Sequence, residues 1–184
     1  MIRTDETRRP DDAPGNFSAS PELAANLQAV LVDLIELTLQ GKQAHWTVVG
    51  QNFRGVHLQL DELVDIARAG SDTIAERMRA LGVIPDGRTI TVSATTRLSA
   101  YPQGRQHTTA VVALVLHSVN AAVATMREMH DAIDAADPST SDLLHLLILD
   151  LEKQAWMLAA QRDASFFEPR SRPNRRTRPL GEPS

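Results

Sequence analysis

Cysteine is absent from this 184-residue sequence, and aromatic residues make up only 4% of it. Without cysteine there is no disulfide framework, no thiolate metal site and no thiol nucleophile, so any metal ion must be held by nitrogen and oxygen. β-branched residues form no alternating apolar and polar runs of the kind that build sandwiches or barrels. Length and composition therefore favour one globular domain of the all-α class.

No apolar run reaches the roughly 20 residues that cross a bilayer. The longest, Leu143–Leu151, is interrupted by His145 and Asp150. Residues 1–16 are polar and of mixed charge, without the apolar segment or cleavage site of a secretory signal. We therefore expect a cytoplasmic protein with no membrane segment.

Charge is distributed unevenly along the chain. Of the formal charge of -4, residues 1–20 carry -1 and residues 169–184 carry +4, so the rest of the chain carries -7. This pattern predicts a flexible amino-terminal arm (1–19), a folded body (20–168) and a disordered basic tail (169–184). The tail could contact a polyanion through five arginines: Arg170, Arg172, Arg175, Arg176 and Arg178.

Apolar periodicity predicts four long helices. Their expected ranges are Ser20 to about Val49, about Asn52 to Gly82, Thr108 to Ala136, and Ser139 to Phe167. Between the second and third helices, residues 83–106 contain prolines and glycines and form a long crossover, with room for a short helix near Val92–Thr96. Two helical hairpins joined by one long crossover are typical of the ferritin-like four-helix bundle.

One face of the second helix carries a stripe of metal-ligand residue types. His57, Asp61, Asp72 and Glu76 lie within about 100° of one another around the helix axis. Such a stripe can be an ordinary solvated face, but it can also bind a metal ion. The sequence contains no Glu-x-x-His, which disfavours a di-iron centre built within one subunit.

The spacing of this stripe favours a site between subunits. The pairs His57/Asp61 and Asp72/Glu76 begin 15 residues apart, which is about 22 Å along a helix, so one helix cannot bring both pairs to one ion. Two copies packed antiparallel about a two-fold axis would place one chain's His57/Asp61 opposite the other chain's Asp72/Glu76 and create two equivalent sites.

Three motifs lie in and around this stripe: Lys42-x-x-His45-Trp46-x-Val48-x-Gly50-x-Asn52-Phe53, His57-x-x-x-Asp61 and Asp72-x-x-x-Glu76-Arg77. They resemble those of the Dps mini-ferritins (DNA-binding proteins from starved cells), a resemblance that extends over about residues 20–167. The resemblance implies a hollow dodecamer of tetrahedral symmetry with ferroxidase sites at its dimer interfaces. Such a protein oxidises Fe(II), preferably with hydrogen peroxide, stores ferric mineral inside and thereby protects DNA.

The resemblance also implies a role for each matching residue. His45, His57 and Asp61 of one subunit, with Asp72 and Glu76 of the partner subunit, would bind at most two iron ions, and zinc could compete for the same ligands. Trp46 would lie near the metals and could take up a stray oxidising equivalent; the alternative is a buried interface aromatic. Lys42, one turn before His45, could pair with a carboxylate near the site or be an ordinary solvated lysine.

Further resemblance concerns iron entry. The family uses acidic pores at three-fold axes, and Asp142 and Glu152 fall where the pore carboxylates are expected, although both could be ordinary surface acids. The remaining histidines are isolated in the sequence, and we expect them to be surface or packing residues. They are His107, His117, His130 and His145.

For DNA binding the resemblance is incomplete, because residues 1–20 contain no lysine whereas the best-known family members have a lysine-rich arm. The five tail arginines could substitute for that arm through many weak phosphate contacts, while the acidic body opposes approach to DNA. Two functions remain open: a ferroxidase and iron store, or a non-catalytic nucleoid-compacting protein whose metal site only holds dimers together. A haem-binding ferritin relative has little support, because no methionine is an obvious two-fold ligand.

Overall fold

The computed structural model describes residues 17–161 as four long helices joined by a crossover. This arrangement confirms the all-helical, ferritin-like fold and the short helix within the crossover. Helix α1 packs mainly on α2 and α4, and α5 packs on α4 and α2. The elements are α1 (Pro21–Thr47), β1 (Val48–Val49), α2 (Phe53–Ala80), α3 (Thr89–Thr95), β2 (Gln106–His107), α4 (Thr108–Ala136) and α5 (Pro138–Ala160).

Both ends of α1 have local causes. The Ser20 hydroxyl accepts a hydrogen bond from the backbone N–H of Leu23 at 3.1 Å, and Pro21 occupies the first helical position. At its other end, α1 stops at Thr47 rather than at the predicted Val49. Val48 and Val49 instead pair in parallel with Gln106 and His107, a contact with the end of the crossover that no local pattern reveals.

The end of α2 is stabilised by Gly82, as the sequence predicts. The Val83 N–H donates to the Met78 carbonyl at 2.8 Å and the Gly82 N–H donates to the Arg79 carbonyl at 3.1 Å. Gly82 has a positive φ of 76°, which a residue without a Cβ adopts without strain. These two bonds satisfy last-turn carbonyls and turn the chain into the crossover.

Asp33 anchors the crossover to the bundle. Its carboxylate is 1% exposed and accepts hydrogen bonds from the Thr96 hydroxyl at 2.8 Å and the Arg97 backbone N–H at 2.8 Å. Its second oxygen accepts a bond from the Thr125 hydroxyl of α4 at 2.7 Å. One buried carboxylate therefore joins α1, the crossover and α4, a role that the sequence analysis missed.

The core is built from one apolar face of each long helix. In length and composition α4 could span a membrane, but half of its most apolar stretch is buried inside the bundle. The largest fully buried side chains are Leu23, Leu27, Leu34, Leu37, Leu60, Leu63, Ile74, Met78, Met126, Ile133, Leu144 and Leu151.

Some predictions concern residues beyond the described range 17–161. They are most of the amino-terminal arm, the last turns of the fourth predicted helix (162–167) and the basic tail (169–184). The five tail arginines also lie outside the described residues: Arg170, Arg172, Arg175, Arg176 and Arg178.

Candidate metal centre

The turn between α1 and α2 brings His45 and His57 together. The backbone reverses through Gly50 and Asn52, which have φ values of 114° and 56°. The two imidazole rings stack with centroids 3.6 Å apart and an interplanar angle of 24°. The Phe53 ring lies beside the His57 ring, with the two centroids 5.0 Å apart.

Reciprocal contacts with the backbone orient both histidine rings. The His45 Nδ1 lies 3.1 Å from the His57 carbonyl oxygen, and the His57 Nδ1 lies 3.1 Å from the His45 carbonyl oxygen. Because a carbonyl can only accept, these contacts assign the proton of each neutral ring to Nδ1. Each Nε2 then carries a lone pair that can bind a metal ion.

Asp61 provides the negative charge of the site. Its Oδ1 accepts a hydrogen bond from the Lys42 ammonium at 2.6 Å and lies 3.2 Å from the His45 Nδ1. The hydrogen bond from Lys42 lowers the pKa of Asp61 below its ordinary value, while desolvation acts in the opposite direction. Asp61 is therefore ionised at neutral pH, and the predicted pairing of Lys42 with a carboxylate is confirmed.

Three predicted ligands thus converge within one chain. Ligand atoms of His45, His57 and Asp61 all lie within 4.8 Å of one another, and each side chain is partly buried. Among residues 17–161 no other three His, Asp or Glu side chains bring their ligand atoms within this distance of one another. Two imidazole nitrogens and one carboxylate suit Fe(II) or Zn²⁺, so this chemistry fits a site that takes up ferrous iron.

Asp72 and Glu76 do not join this group in the single chain. Both are exposed and lie further along α2, as the 15-residue spacing requires. A position opposite another subunit's histidines therefore stays a prediction. Trp46 is also open on the single chain, with 71% of its surface exposed.

The two predicted pore residues both lie on the surface of α5. The Asp142 side chain is 85% exposed, whereas the Glu152 side chain is 40% exposed and forms an ion pair with Arg127. Their role in a pore depends on the assembly and stays a prediction.

The structure pairs two histidines that the sequence analysis treated as isolated. The Nε2 atoms of His130 on α4 and His145 on α5 lie 2.6 Å apart. A signal was present, because residues 130 and 145 are equidistant from the turn at Asp137 and Pro138. Residues placed in this way on the two arms of a helical hairpin come to lie side by side. His117 is exposed, and His107 lies in β2.

Comparison with known proteins gives consistent matches. Residues 24–164 match the ferritin-like domain family. The chain is 37% identical over 155 residues to the fine tangled pili major subunit of Haemophilus ducreyi, covering 82% of this chain and 80% of that protein. It is 34% identical over 163 residues to the DNA protection during starvation protein of Agrobacterium fabrum, covering 86% and 96% respectively. Among solved structures, Dps from Microbacterium arborescens in the high iron form has a TM-score of 0.73 at 32% identity, covering 79% of this chain and 97% of that one.

Proposed function

The chain belongs to the ferritin-like family and, within it, to the Dps mini-ferritins, and we propose that it oxidises Fe(II) with hydrogen peroxide and stores the ferric product. The observation that carries this proposal is the convergence of His45, His57 and Asp61, with both imidazole Nε2 atoms free to bind a metal. Relatives named for DNA protection during starvation support a protein that stores iron and protects DNA.

The complete ferroxidase site is proposed to span two subunits. His45, His57 and Asp61 of one subunit would bind iron together with Asp72 and Glu76 of the partner subunit. Two features support this arrangement: both acids are exposed on α2, and they lie too far along the helix to reach the histidines of their own chain. Two such sites would form about each two-fold axis.

The proposed reaction transfers two electrons to each peroxide. Two Fe(II) ions give up one electron each, and one hydrogen peroxide is reduced; with two further water molecules the products are two FeOOH units and four protons. Because both electrons reach the same peroxide, no hydroxyl radical is released. The ionised Asp61 would offset part of the charge of the bound iron, and Trp46, the residue after His45, would take up a stray oxidising equivalent.

Storage of the product requires a closed assembly. We propose a cytoplasmic homo-oligomer, a dodecamer built from two-fold dimers, that holds the ferric mineral in its cavity. Asp142 and Glu152 would line the pores through which Fe(II) enters, since rings of carboxylates attract cations. Zinc, which accepts the same ligands, would inhibit iron uptake by competition.

The first test is anaerobic loading of metal-free protein with Fe(II), followed by hydrogen peroxide. Ferric absorbance and the iron remaining in solution are measured for the wild type, the double variant His57→Ala/Asp61→Ala and the control His117→Ala, which changes an exposed histidine. We expect fast oxidation that keeps iron soluble in the wild type and the control but not in the double variant. Oxidation no faster than in protein-free buffer would contradict the proposal.

That negative result would favour the alternative, a nucleoid-compacting protein with a structural metal site. The specific observation behind this alternative is the charge of +4 on residues 169–184. Truncation after Glu168 should then abolish DNA binding and its steep salt dependence, whereas unchanged binding would exclude the five tail arginines as the DNA contact.

A further inference from the structure

A second pair of histidines lies at the other end of the bundle from the α1–α2 turn, on the hairpin formed by α4 and α5. The Nε2 atoms of His130 and His145 are 2.6 Å apart, and their ring centroids are 4.6 Å apart. The His130 and His145 side chains are 24% and 53% exposed, so water and ions can reach both rings.

Each ring has a carboxylate near its Nδ1 atom, the nitrogen that is not in contact with the other ring. The His130 Nδ1 lies 3.1 Å from Asp131 Oδ1, and the His145 Nδ1 lies 3.9 Å from Asp142 Oδ1. The Asp131 carboxylate favours the His130 proton at Nδ1 and leaves a lone pair on the His130 Nε2. Asp142, at 3.9 Å, is too far for a hydrogen bond, so the His145 ring can carry its proton on either nitrogen. In metal-binding histidines a carboxylate commonly accepts a hydrogen bond from the ring nitrogen that does not bind the metal, and this bond orients the ring.

The two Nε2 atoms therefore face each other at 2.6 Å, a distance at which one ring donates its Nε2 proton to the lone pair of the other. A metal ion can take the place of that bridging proton, because each neutral imidazole can then offer an Nε2 lone pair. Metal–nitrogen bonds of about 2.0–2.1 Å in a tetrahedral site require the nitrogens to separate by somewhat less than 1 Å, a movement that the exposed His145 side chain can make.

The surroundings offer further ligands and room for them. The Ser141 hydroxyl lies 3.1 Å from the His130 Nε2. The pair faces an open cleft of about 590 Å³, which has space for water ligands. Arg127 also lines the cleft, but its guanidinium is paired with Glu152, so its positive charge is compensated.

We propose that His130 and His145 form a second metal site, separate from the ferroxidase centre, that binds a divalent transition-metal ion of the Zn²⁺ class. Two imidazoles select such ions over Mg²⁺ and Ca²⁺, which prefer oxygen ligands. Water molecules and the Ser141 hydroxyl complete the coordination. The site does not depend on ferroxidase activity, and it adjoins the two proposed pore residues, because Asp142 lies near His145 and Glu152 pairs with Arg127 at the cleft.

The test measures Zn²⁺ binding to the full-length protein by competition with a chromophoric chelator. The starting protein is His57→Ala/Asp61→Ala, in which the ferroxidase centre cannot bind metal normally. His145→Asn, His145→Cys and the control His117→Asn are then added separately. We expect about one Zn²⁺ per chain in the starting protein and the control, an affinity at least tenfold lower with asparagine, and binding retained with cysteine, which is itself a zinc ligand.

A spectroscopic measurement identifies the ligands directly. Cu²⁺ bound to the same starting protein should show electron paramagnetic resonance coupling to two nitrogens, reduced to one by His145→Asn. A large excess of Mg²⁺ should displace neither metal. Equal Zn²⁺ affinity in His145→Asn and His117→Asn, or copper coupling that His145→Asn leaves unchanged, would overturn the proposal.

Discussion

The Nδ1 atoms of His45 and His57 each lie 3.1 Å from the other residue's backbone carbonyl oxygen. The His45 carbonyl lies in the last turn of α1, where carbonyls lack a partner within the helix. The backbone of α1 thus orients the His57 ring, and the backbone of α2 orients the His45 ring. Both rings are oriented before a metal ion arrives, which lowers the reorganisation that binding requires.

Lys42 competes with a metal ion for Asp61. Its ammonium lies 2.6 Å from the carboxylate oxygen, and a bound cation would be repelled by it. Lys42→Met should therefore tighten anaerobic Fe(II) or Zn²⁺ binding at pH 7 by a few-fold, a modest effect because the pair is partly exposed and screened. Isothermal titration calorimetry measures the change, and Lys153→Met, which replaces an exposed lysine, is the control.

The gain in affinity should become smaller in acid. Because the hydrogen bond from Lys42 lowers the pKa of Asp61, Lys42→Met should raise that pKa and let protons compete with the metal at a higher pH. The affinity of the variant should therefore fall earlier than that of the wild type as the pH drops below about 5. Parallel pH profiles for the two proteins would contradict this role for Lys42.

A site shared between subunits can be rebuilt from two inactive chains. His57→Ala/Asp61→Ala lacks one half of the proposed site, and Asp72→Ala/Glu76→Ala lacks the other. A dimer of one chain of each variant has two sites: in one site both halves are intact, and in the other both halves are substituted. Random pairing of equal amounts should therefore restore about a quarter of the wild-type ferroxidase sites.

The measurement is the Fe(II) oxidation rate after the two variants are unfolded together and refolded. Each variant refolded alone provides the baseline. A mixture no more active than the variants alone would show that the two halves do not meet across an interface.

Local patterns were sufficient to predict most of the fold. The cap formed by Ser20 and Pro21, the stop at Gly82 and the apolar periodicity each act within one helix, and each is borne out. The resemblance to Dps mini-ferritins, which rested on the motifs around His45 and His57, is confirmed by the comparisons.

Contacts between distant segments could not be predicted in this way. The pairing of Val48 with Gln106 depends on how the crossover returns to the bundle. The burial of Asp33 depends on donors 63 and 64 residues away. The pairing of His130 with His145 needs the hairpin geometry of α4 and α5, which no single-helix periodicity contains.

Asp33 should be essential for docking the crossover. Asp33→Asn keeps the size of the side chain but replaces one acceptor oxygen with an NH₂ group that faces hydroxyl and amide donors. We expect the free energy of unfolding to fall by about 2–4 kcal/mol. Urea denaturation followed by circular dichroism measures this loss, and Asp150→Asn, which changes an exposed carboxylate, should leave stability nearly unchanged. Equal stability of the two variants would contradict the anchoring role.

The link between Arg77 and Asp137 should make stability depend on pH. The Asp137 carboxylate accepts a hydrogen bond from Arg77 of α2 at 2.5 Å and another from Thr140 of α5. Burial tends to raise the pKa of Asp137, but the bonds from Thr140 and Arg77 outweigh it and lower the pKa below 3.8. A carboxylate with a lowered folded pKa stabilises the protein fully above its unfolded pKa and loses that contribution as the pH falls through the folded value.

Asp137→Asn should therefore cost about 2 kcal/mol at pH 7 and at pH 5, and the difference from the wild type should shrink below about pH 4. Urea midpoints at pH 7, 5 and 3 measure this difference, with Asp134→Asn as the control because Asp134 is exposed near the end of α4. A cost that is the same at pH 3 as at pH 7 would mean that the ionised carboxylate is not what joins α2 to the α4–α5 turn. The asparagine side chain at position 137 would then destabilise the protein for a steric reason and not through the loss of charge. In that case Asp137→Glu, which keeps the charge on a longer side chain, should lower the free energy of unfolding as much as Asp137→Asn at every pH.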